Sequence, residues 1–153
     1  MNRIVRSIEI EAPVEQVFEF HLNPRNVVRT APPASEAVLV RCTHEVLQLA
    51  TRIAVRSRHA GLPVTLEVEV LDLDRPRLLR DRQVSGPFAH WIHTYRFEPT
   101  PRGTRLTDDV EYDTPLGALS RFILSHRIAR ELATALECRL ARTRRILEQQ
   151  AAR

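Results

Sequence analysis

The sequence predicts an α+β domain: an antiparallel meander covered by one long C-terminal helix. Three observations carry that expectation. Between residues 36 and 113 the chain runs through alternating apolar and polar stretches separated by turn-forming residues. From 116 to 150 the period changes, and Leu119, Phe122, Ile123, Ala129, Ala133, Leu136, Leu140 and Leu147 recur at three and four residues. Before the meander stands one strand followed by one short helix, so no second long helix exists to share the work of covering the sheet.

The first strand is "RIVRSIEIEAP", with Ile4, Arg6, Ile8 and Ile10 on one face and Arg3, Val5, Ser7 and Glu9 on the other. Pro13 ends it and sits at the first turn of the helix "APVEQVFEFHLN", where a missing N–H costs nothing. Val14, Val17, Phe18 and His21 share that helix's face. "NPRNVVRTAPPAS" carries Pro24, Pro32 and Pro33 and reads as a loop with one helical turn. "EAVLVRC" is a strand. "VLQLATRIAVRSRH", 46–59, alternates throughout, with Leu47, Leu49, Thr51, Ile53 and Val55 on one face and an arginine-rich opposite face. After Gly61, "LPVTLEVEVLDL" shows an acidic outer face, and opposite charges across two strands favour that hairpin. "PRLLRDRQVSG", "PFAHWIHTYRFEP" and "GTRLTDDVEYDTP" complete the meander. Arg127, Arg130, Arg139, Arg142 and Arg145 lie off the apolar stripe of the final helix.

Composition narrows the function classes. The 153 residues suit one domain, 1–153, with a core large enough to hold a hollow. Hydrophobic residues make up 43% and charged residues 27%, and no run reaches the roughly 18 apolar residues of a membrane span. The start lacks an apolar signal region, so a cytoplasmic, bacterial setting is expected. The net charge is +4, and all 23 basic residues are arginine, a bias of the kind GC-rich genomes produce. The cluster "CRLARTRR" has no interleaved aromatics, so specific nucleic-acid binding is not expected, whereas peripheral contact with anionic membrane or acidic partners through this helix stays open. Cys42 and Cys138 have no Cys-x-x-Cys partner and read as free thiols. His90 and His93 face opposite sides of a strand and cannot share a metal. No phosphate loop or hydrolase motif occurs, so neither metal nor cofactor is expected. The sequence leaves the oligomeric state open.

The stretch "HWIHTYRF" puts Trp91, His93, Tyr95 and Phe97 on one face. If "TPRG" closes the following hairpin, Phe97 lies opposite Leu106, Tyr95 opposite Asp108, His93 opposite Val110 and Trp91 opposite Tyr112. Thr94, Arg96, Thr107, Asp109 and Glu111 then face water. The same logic at Gly86-Pro87 brings Leu79, Asp81 and Gln83 opposite Tyr95, His93 and Trp91. A carboxylate buried on this face needs hydrogen-bond partners. One reading is a satisfied polar cluster in a solid core. The other is a polar anchor in an apolar pocket, the usual construction of a small-molecule site. Carboxylate neighbours also make His93, with Tyr95 and Asp108, candidates for acid–base catalysis. His21 and His126 read as packed or rim residues.

"IEIEAPVEQVFEF", "GPFAHWIHTYRF" and "GTRLTDDVEYDTPLG" before a long final helix resemble the START-like (SRPBCC) superfamily of helix-grip proteins, which includes polyketide cyclase/dehydrase and lipid-transport members. The resemblance spans essentially the whole chain. It implies a seven-stranded antiparallel sheet gripping the C-terminal helix, with a hydrophobic cavity between them. Trp91, His93, Asp108 and Tyr112 match positions that line such cavities, and Tyr95 stands where close relatives carry a second histidine. The superfamily has no universal catalytic residue, so the resemblance alone does not fix the activity. The leading expectation is binding of a small apolar ligand such as a lipid, a quinone or a polyketide-like ring. Trp91, Phe97, Val110, Tyr112, Phe122 and Leu136 would supply wall, and Asp81, Gln83, His93, Tyr95 and Asp108 would orient a polar group. The alternatives are a cyclase or dehydratase using His93 as general acid/base, and an interaction module using the arginine-rich helix.

Overall fold

The computed structural model describes the backbone of residues 1–115 and 118–153; the side chains of 116–124 lie outside that description. β1 (Asn2–Ile10) leads into α1 (Val14–Leu22), α2 (Arg25–Thr30) and a short 3-10 turn at Pro33–Ser35. The meander follows as β2 (Val38–Cys42), β3 (Arg52–His59), β4 (Leu62–Asp74), β5 (Leu78–Ser85), β6 (His90–Thr100) and β7 (Gly103–Asp113), and the chain ends in α3 (Ala118–Ala151). All seven strands form one antiparallel sheet in the order β1-β7-β6-β5-β4-β3-β2, so β1 closes against the last strand rather than the second. The 34-residue α3 crosses the concave face.

The period-two pattern fixes register where one face is buried. Across β6 and β7 the pairs are Trp91–Tyr112, His93–Val110, Tyr95–Asp108 and Phe97–Leu106, as the hairpin reading expects. Across β5 and β6 they are Leu79–Tyr95 and Asp81–His93. β1 enters with Ile4 opposite Val110 and Ile8 opposite Leu106. At α1, Pro13 occupies the N-cap, and its carbonyl accepts from the Gln16 and Val17 N–H groups. The helix buries Val17, Phe18, Phe20 and Leu22, and Phe18 meets Phe97 edge-on at 5.1 Å. The β6–β7 turn is tight: a Cβ added to Gly103 would stand 2.2 Å from the Ile10 carbonyl oxygen.

Three expectations are corrected. The alternation over 46–51 is not strand. Leu47 donates its N–H to Leu22, Ala50 (φ 65) donates to Val70, and Thr51 turns back on Gln48, so β3 begins only at Arg52 and Leu49 is exposed. Tertiary hydrogen bonds to α1 and β4 override the local period here. The segment 23–35 carries more helix than one turn, because Thr30 and Asn26 close α2 with buried side-chain bonds to the Asn26 and Phe20 carbonyls. Finally, the outer face of β6 and β7 is not uniformly wet: Asp109 and Thr94 are buried. Arg3 grips both oxygens of Asp109 at 2.8 and 2.7 Å, and Arg96 adds a bond of 2.8 Å from the other side. Long arginine stems cover what the pleat alone would expose.

The Arg3 contact holds the Asp109 carboxyl down at about 2, against the cost of its burial, with Arg96 adding to the effect. A carboxyl depressed on folding stabilises fully above the ordinary carboxyl range and loses that contribution as pH falls through the folded value. Both arginines are partly exposed, so solvent screening leaves about 1–2 kcal/mol. Urea titration of Asp109→Asn against the native chain is therefore expected to show that deficit at neutral pH, closing between about pH 4 and about pH 2. A deficit independent of pH would contradict the charge-pair account.

Candidate functional site

Among the described residues, buried apolar side chains fall into two clusters. One gathers Phe18, Phe97, Leu106, Leu140 and Leu147 around α1 and the far end of α3. The other gathers Trp91, Val110, Tyr112 and Leu136. A cavity of about 490 Å³ lies against both, under α3 and α2 and over β3 to β6. Voids of that size are foreign to a close-packed core and fall within the range of ligand pockets. Ile53, Val55, Leu66, Val68, Val70 and Leu79 make its strand wall, and Ile128, Leu132 and Leu136 its helix wall.

Strand β6 supplies the aromatic and imidazole part of the polar wall. His93 stacks on Tyr95 with ring centroids 3.8 Å apart and stands edge-on to Trp91 at 6.2 Å. Alternation places all three inward, and Asp81 on β5 and Asp108 on β7 flank them by register. His93 Nε2 approaches Asp108 Oδ1 to 3.4 Å, both side chains being 3% exposed. The two atoms are not aligned as a hydrogen bond, and neither has another hydrogen-bond partner among the described residues.

Burial opposes the charge on Asp108, but His93, Arg139 and His21 together outweigh it and hold that carboxyl below its usual range. At Asp81 burial wins over His93, Arg139 and Trp91, and the carboxyl is pushed up. Burial likewise pushes the Tyr95 phenol up, so it stays protonated. His21, on α1, is driven by burial down to about 4 and is neutral at physiological pH. Its Nδ1 contacts the Val17 carbonyl at 2.8 Å, and a carbonyl only accepts, so Nδ1 carries the proton and Nε2 keeps its lone pair.

The sequence-predicted residues separate on inspection. Trp91, His93, Tyr95, Asp81 and Leu136 line the cavity. Phe97, Asp108, Val110 and Tyr112 share the inward face but stand behind that lining, where Phe97 packs on Phe18 and Tyr112 on Phe88. Gln83 is not in the wall. Its Nε2 donates to the Phe88 carbonyl at 2.7 Å and its Oε1 accepts the Phe88 N–H at 3.2 Å, clamping the β5–β6 turn. Phe122 lies outside the described side chains.

Two polar wall residues beside the β6 cluster escape the sequence reading, as do Asn26, Thr30, Ser57, His59, Thr114 and Glu131 elsewhere in the lining. Arg139, expected on the solvated helix face, lines the cavity: its Nη2 reaches the Tyr95 hydroxyl at 3.5 Å and its guanidinium lies 5.7 Å from that ring's centroid. A signal existed, since Arg139 follows Leu136 by three and precedes buried Thr143 by four. Burial disfavours its charge, but the Tyr95 hydroxyl, accepting its hydrogen bond, and the Asp108 carboxyl offset that cost, and it stays cationic. His21 is the other, placed in the wall by its ring contacts of 5.7 Å with Tyr95 and 5.0 Å with Phe97. Arg142 also leaves the exposed face, donating twice to the Arg29 carbonyl and tying α2 to α3. Among the described residues no group of three His, Cys, Asp or Glu could hold a metal. No described helix is long and apolar enough to cross a membrane.

A seven-stranded antiparallel sheet closed by one long helix, with two short helices after the first strand, is the helix-grip architecture. Solved structures share it along nearly their whole length. The protein TTHA0849 from Thermus thermophilus superposes with a TM-score of 0.80 at 17% identity, over 97% of this chain and 99% of that one. Ms6760 from Mycobacterium smegmatis gives 0.72 at 18%, over 97% and 92%. Ara h 8.0201 gives 0.69 at 10%, over 97% and 98%. At these identities the likeness carries the fold alone. The family follows from the sequence: residues 1–148 match the model of the polyketide cyclase / dehydrase and lipid transport family, and the chain belongs to it. No curated protein matches the chain.

The buried His93–Asp108 pair makes a stability claim. His93→Leu leaves the buried Asp108 carboxyl without its nearest polar neighbour and should cost about 3 kcal/mol, whereas adding Asp108→Leu should recover much of that loss. Denaturation of the two single variants and the double variant gives the coupling directly. Additive losses would show that the two side chains act independently.

Proposed function

We propose that the protein binds a small, mostly apolar ligand, such as a lipid, a quinone or a polyketide-like ring, in the cavity between the sheet and α3. The observation that carries this is the hollow of about 490 Å³ with an apolar wall and a few convergent polar tips. The family's twin association with polyketide cyclisation and lipid transport supports the same ligand class. Trp91, Leu136 and the β3–β4 wall would hold the apolar body, and His93, Tyr95 and Asp81 would orient a carbonyl or hydroxyl. Phe97, Val110 and Tyr112 would fix the wall from behind, and Asp108 would set the orientation of His93.

Thermal unfolding with a neutral panel (tetradecanol, 2-naphthol and a naphthoquinone) tests this. At a hundredfold excess over Kd, at least one compound should raise Tm by about 5 °C or more. Ala135 lines the cavity, and Ala135→Trp should abolish the rise by filling the space. A panel without effect, or a rise that survives the filled cavity, would defeat the proposal.

A second reading is favoured by one arrangement, the His93 ring stacked on Tyr95 and backed by Asp108. On a linear poly-β-ketone His93 would take a proton from a carbon beside a carbonyl, and the Tyr95 hydroxyl would donate to the developing oxyanion. Conversion should then appear as ring closure or loss of water by mass spectrometry and vanish in His93→Gln. If the native chain leaves such substrates unchanged, binding alone is the function.

A further inference from the structure

We infer that the cavity selects amphiphiles ending in a carboxylate, with the carboxylate seated on the Arg139 guanidinium and the Tyr95 hydroxyl. This rests on the proposed ligand-binding role and names the chemistry that role prefers. The guanidinium is a donor-only group, so in its 3.5 Å contact Tyr95 Oη is the acceptor. The phenolic hydrogen is left to donate elsewhere. Arg139 engages Tyr95 through this long bond and through the ring face, and no ion pair joins it to an acid among the described residues. The remaining N–H groups and the Tyr95 O–H therefore converge on the same part of an otherwise apolar space. Unpaired donors on a cation in such a place are costly until an acceptor arrives, and a carboxylate meets them with two parallel bonds.

The other charges around the cavity leave that role open. Asp108 has His93 as its nearest polar neighbour, Nε2 to Oδ1 at 3.4 Å. Glu131 pairs with Arg127 at 3.2 Å along the helix. At Asp81 burial outweighs His93, Arg139 and Trp91 and pushes the carboxyl up, which weakens its opposition to an incoming carboxylate. His21 is neutral. Ile53, Val55, Leu66 and Val68 make most of the β3–β4 side, with Ser57 and the exposed His59 only toward the end of β3, and they suit the greasy end of an amphiphile.

Matched pairs test the inference: tetradecanoate against tetradecanol for a chain-like body, and 2-naphthoate against 2-naphthol for a fused ring. Each competes with a neutral fluorescent naphthalene probe at mildly alkaline pH, where the acids are ionised. In the native chain at least one carboxylate should bind about tenfold or more tightly than its alcohol. In Arg139→Met that ratio should fall to within about twofold of unity, whatever the absolute affinities. The pair that responds identifies the body of the ligand. Equal binding of acid and alcohol by the native chain would overturn the inference and leave the cavity proposal standing. So would a preference that survives Arg139→Met. Silence from both acids overturns it as well, and silence from the alcohols too would remove the cavity proposal with it.

Discussion

One helix cannot fill the concave side of a seven-stranded sheet. Strands about 4.8 Å apart put the outer pair nearly 30 Å from each other, whereas an α-helix with its side chains is about 10–12 Å across. α3 therefore has to choose where to pack. It ties to β1 through the 2.8 Å Arg6–Glu137 pair and sends Leu140 and Leu147 into the cluster with Phe18 and Phe97. On the β3–β5 side α1 and α2 come over only partway, and Arg142 binds α2 to α3 across the gap. The apolar residues left beneath them, Ile53, Val55 and Val68 among them, face a gap in place of a second packed layer. A hollow follows from geometry before any residue acquires a functional role.

The polar groups of that hollow depend on one another. Burial opposes the charge on both Asp108 and Arg139, and each offsets part of that cost for the other, with His93 nearest the carboxyl and the Tyr95 hydroxyl accepting from the guanidinium. In a medium of low polarity such mutual support is stronger than in water, and removing one member exposes the rest. The same economy appears outside the sheet, where one buried carboxylate organises two arginines from neighbouring strands. Arginine serves both places, having a planar fork that spans two oxygens and a stem long enough to roof a sheet.

Much of the sheet was legible in the sequence because burial of one face enforces a strict period of two. The β6–β7 register followed from the residues of a single turn, and the identity of the inward ring of Trp91, His93, Tyr95 and Phe97 followed from it. The same cue failed at 46–51. Those residues alternate, yet Leu47 and Ala50 bond to α1 and β4, partners that no local pattern contains. The inward face was also not equivalent to the cavity wall: whether a residue lines space or touches a second layer depends on what packs opposite, which is why Phe97 and Tyr112 stand behind the lining. Gln83 met backbone rather than cavity because the turn after it folds back within reach. Arg139 was hidden by its charge, since an arginine beside an apolar helical stripe looks like a solvated edge until the space it enters is known to be hollow.

Two of the glycine-bearing hairpin tips, Gly61 between β3 and β4 and Gly103 between β6 and β7, differ in what surrounds them. At Gly61 an added Cβ would find nothing within 4 Å. At Gly103 it would strike the backbone that links β1 to α1, and Thr100 and Thr104 stitch the same corner through bonds of 2.7 Å to Glu9 and 2.8 Å to the Ala12 carbonyl. The first tip is thus a permissive place for lengthening the chain or attaching a reporter. The second is a seam joining the N-terminal strand to the end of the meander, and new termini opened there would unpick the barrel-like curl that holds the hollow open.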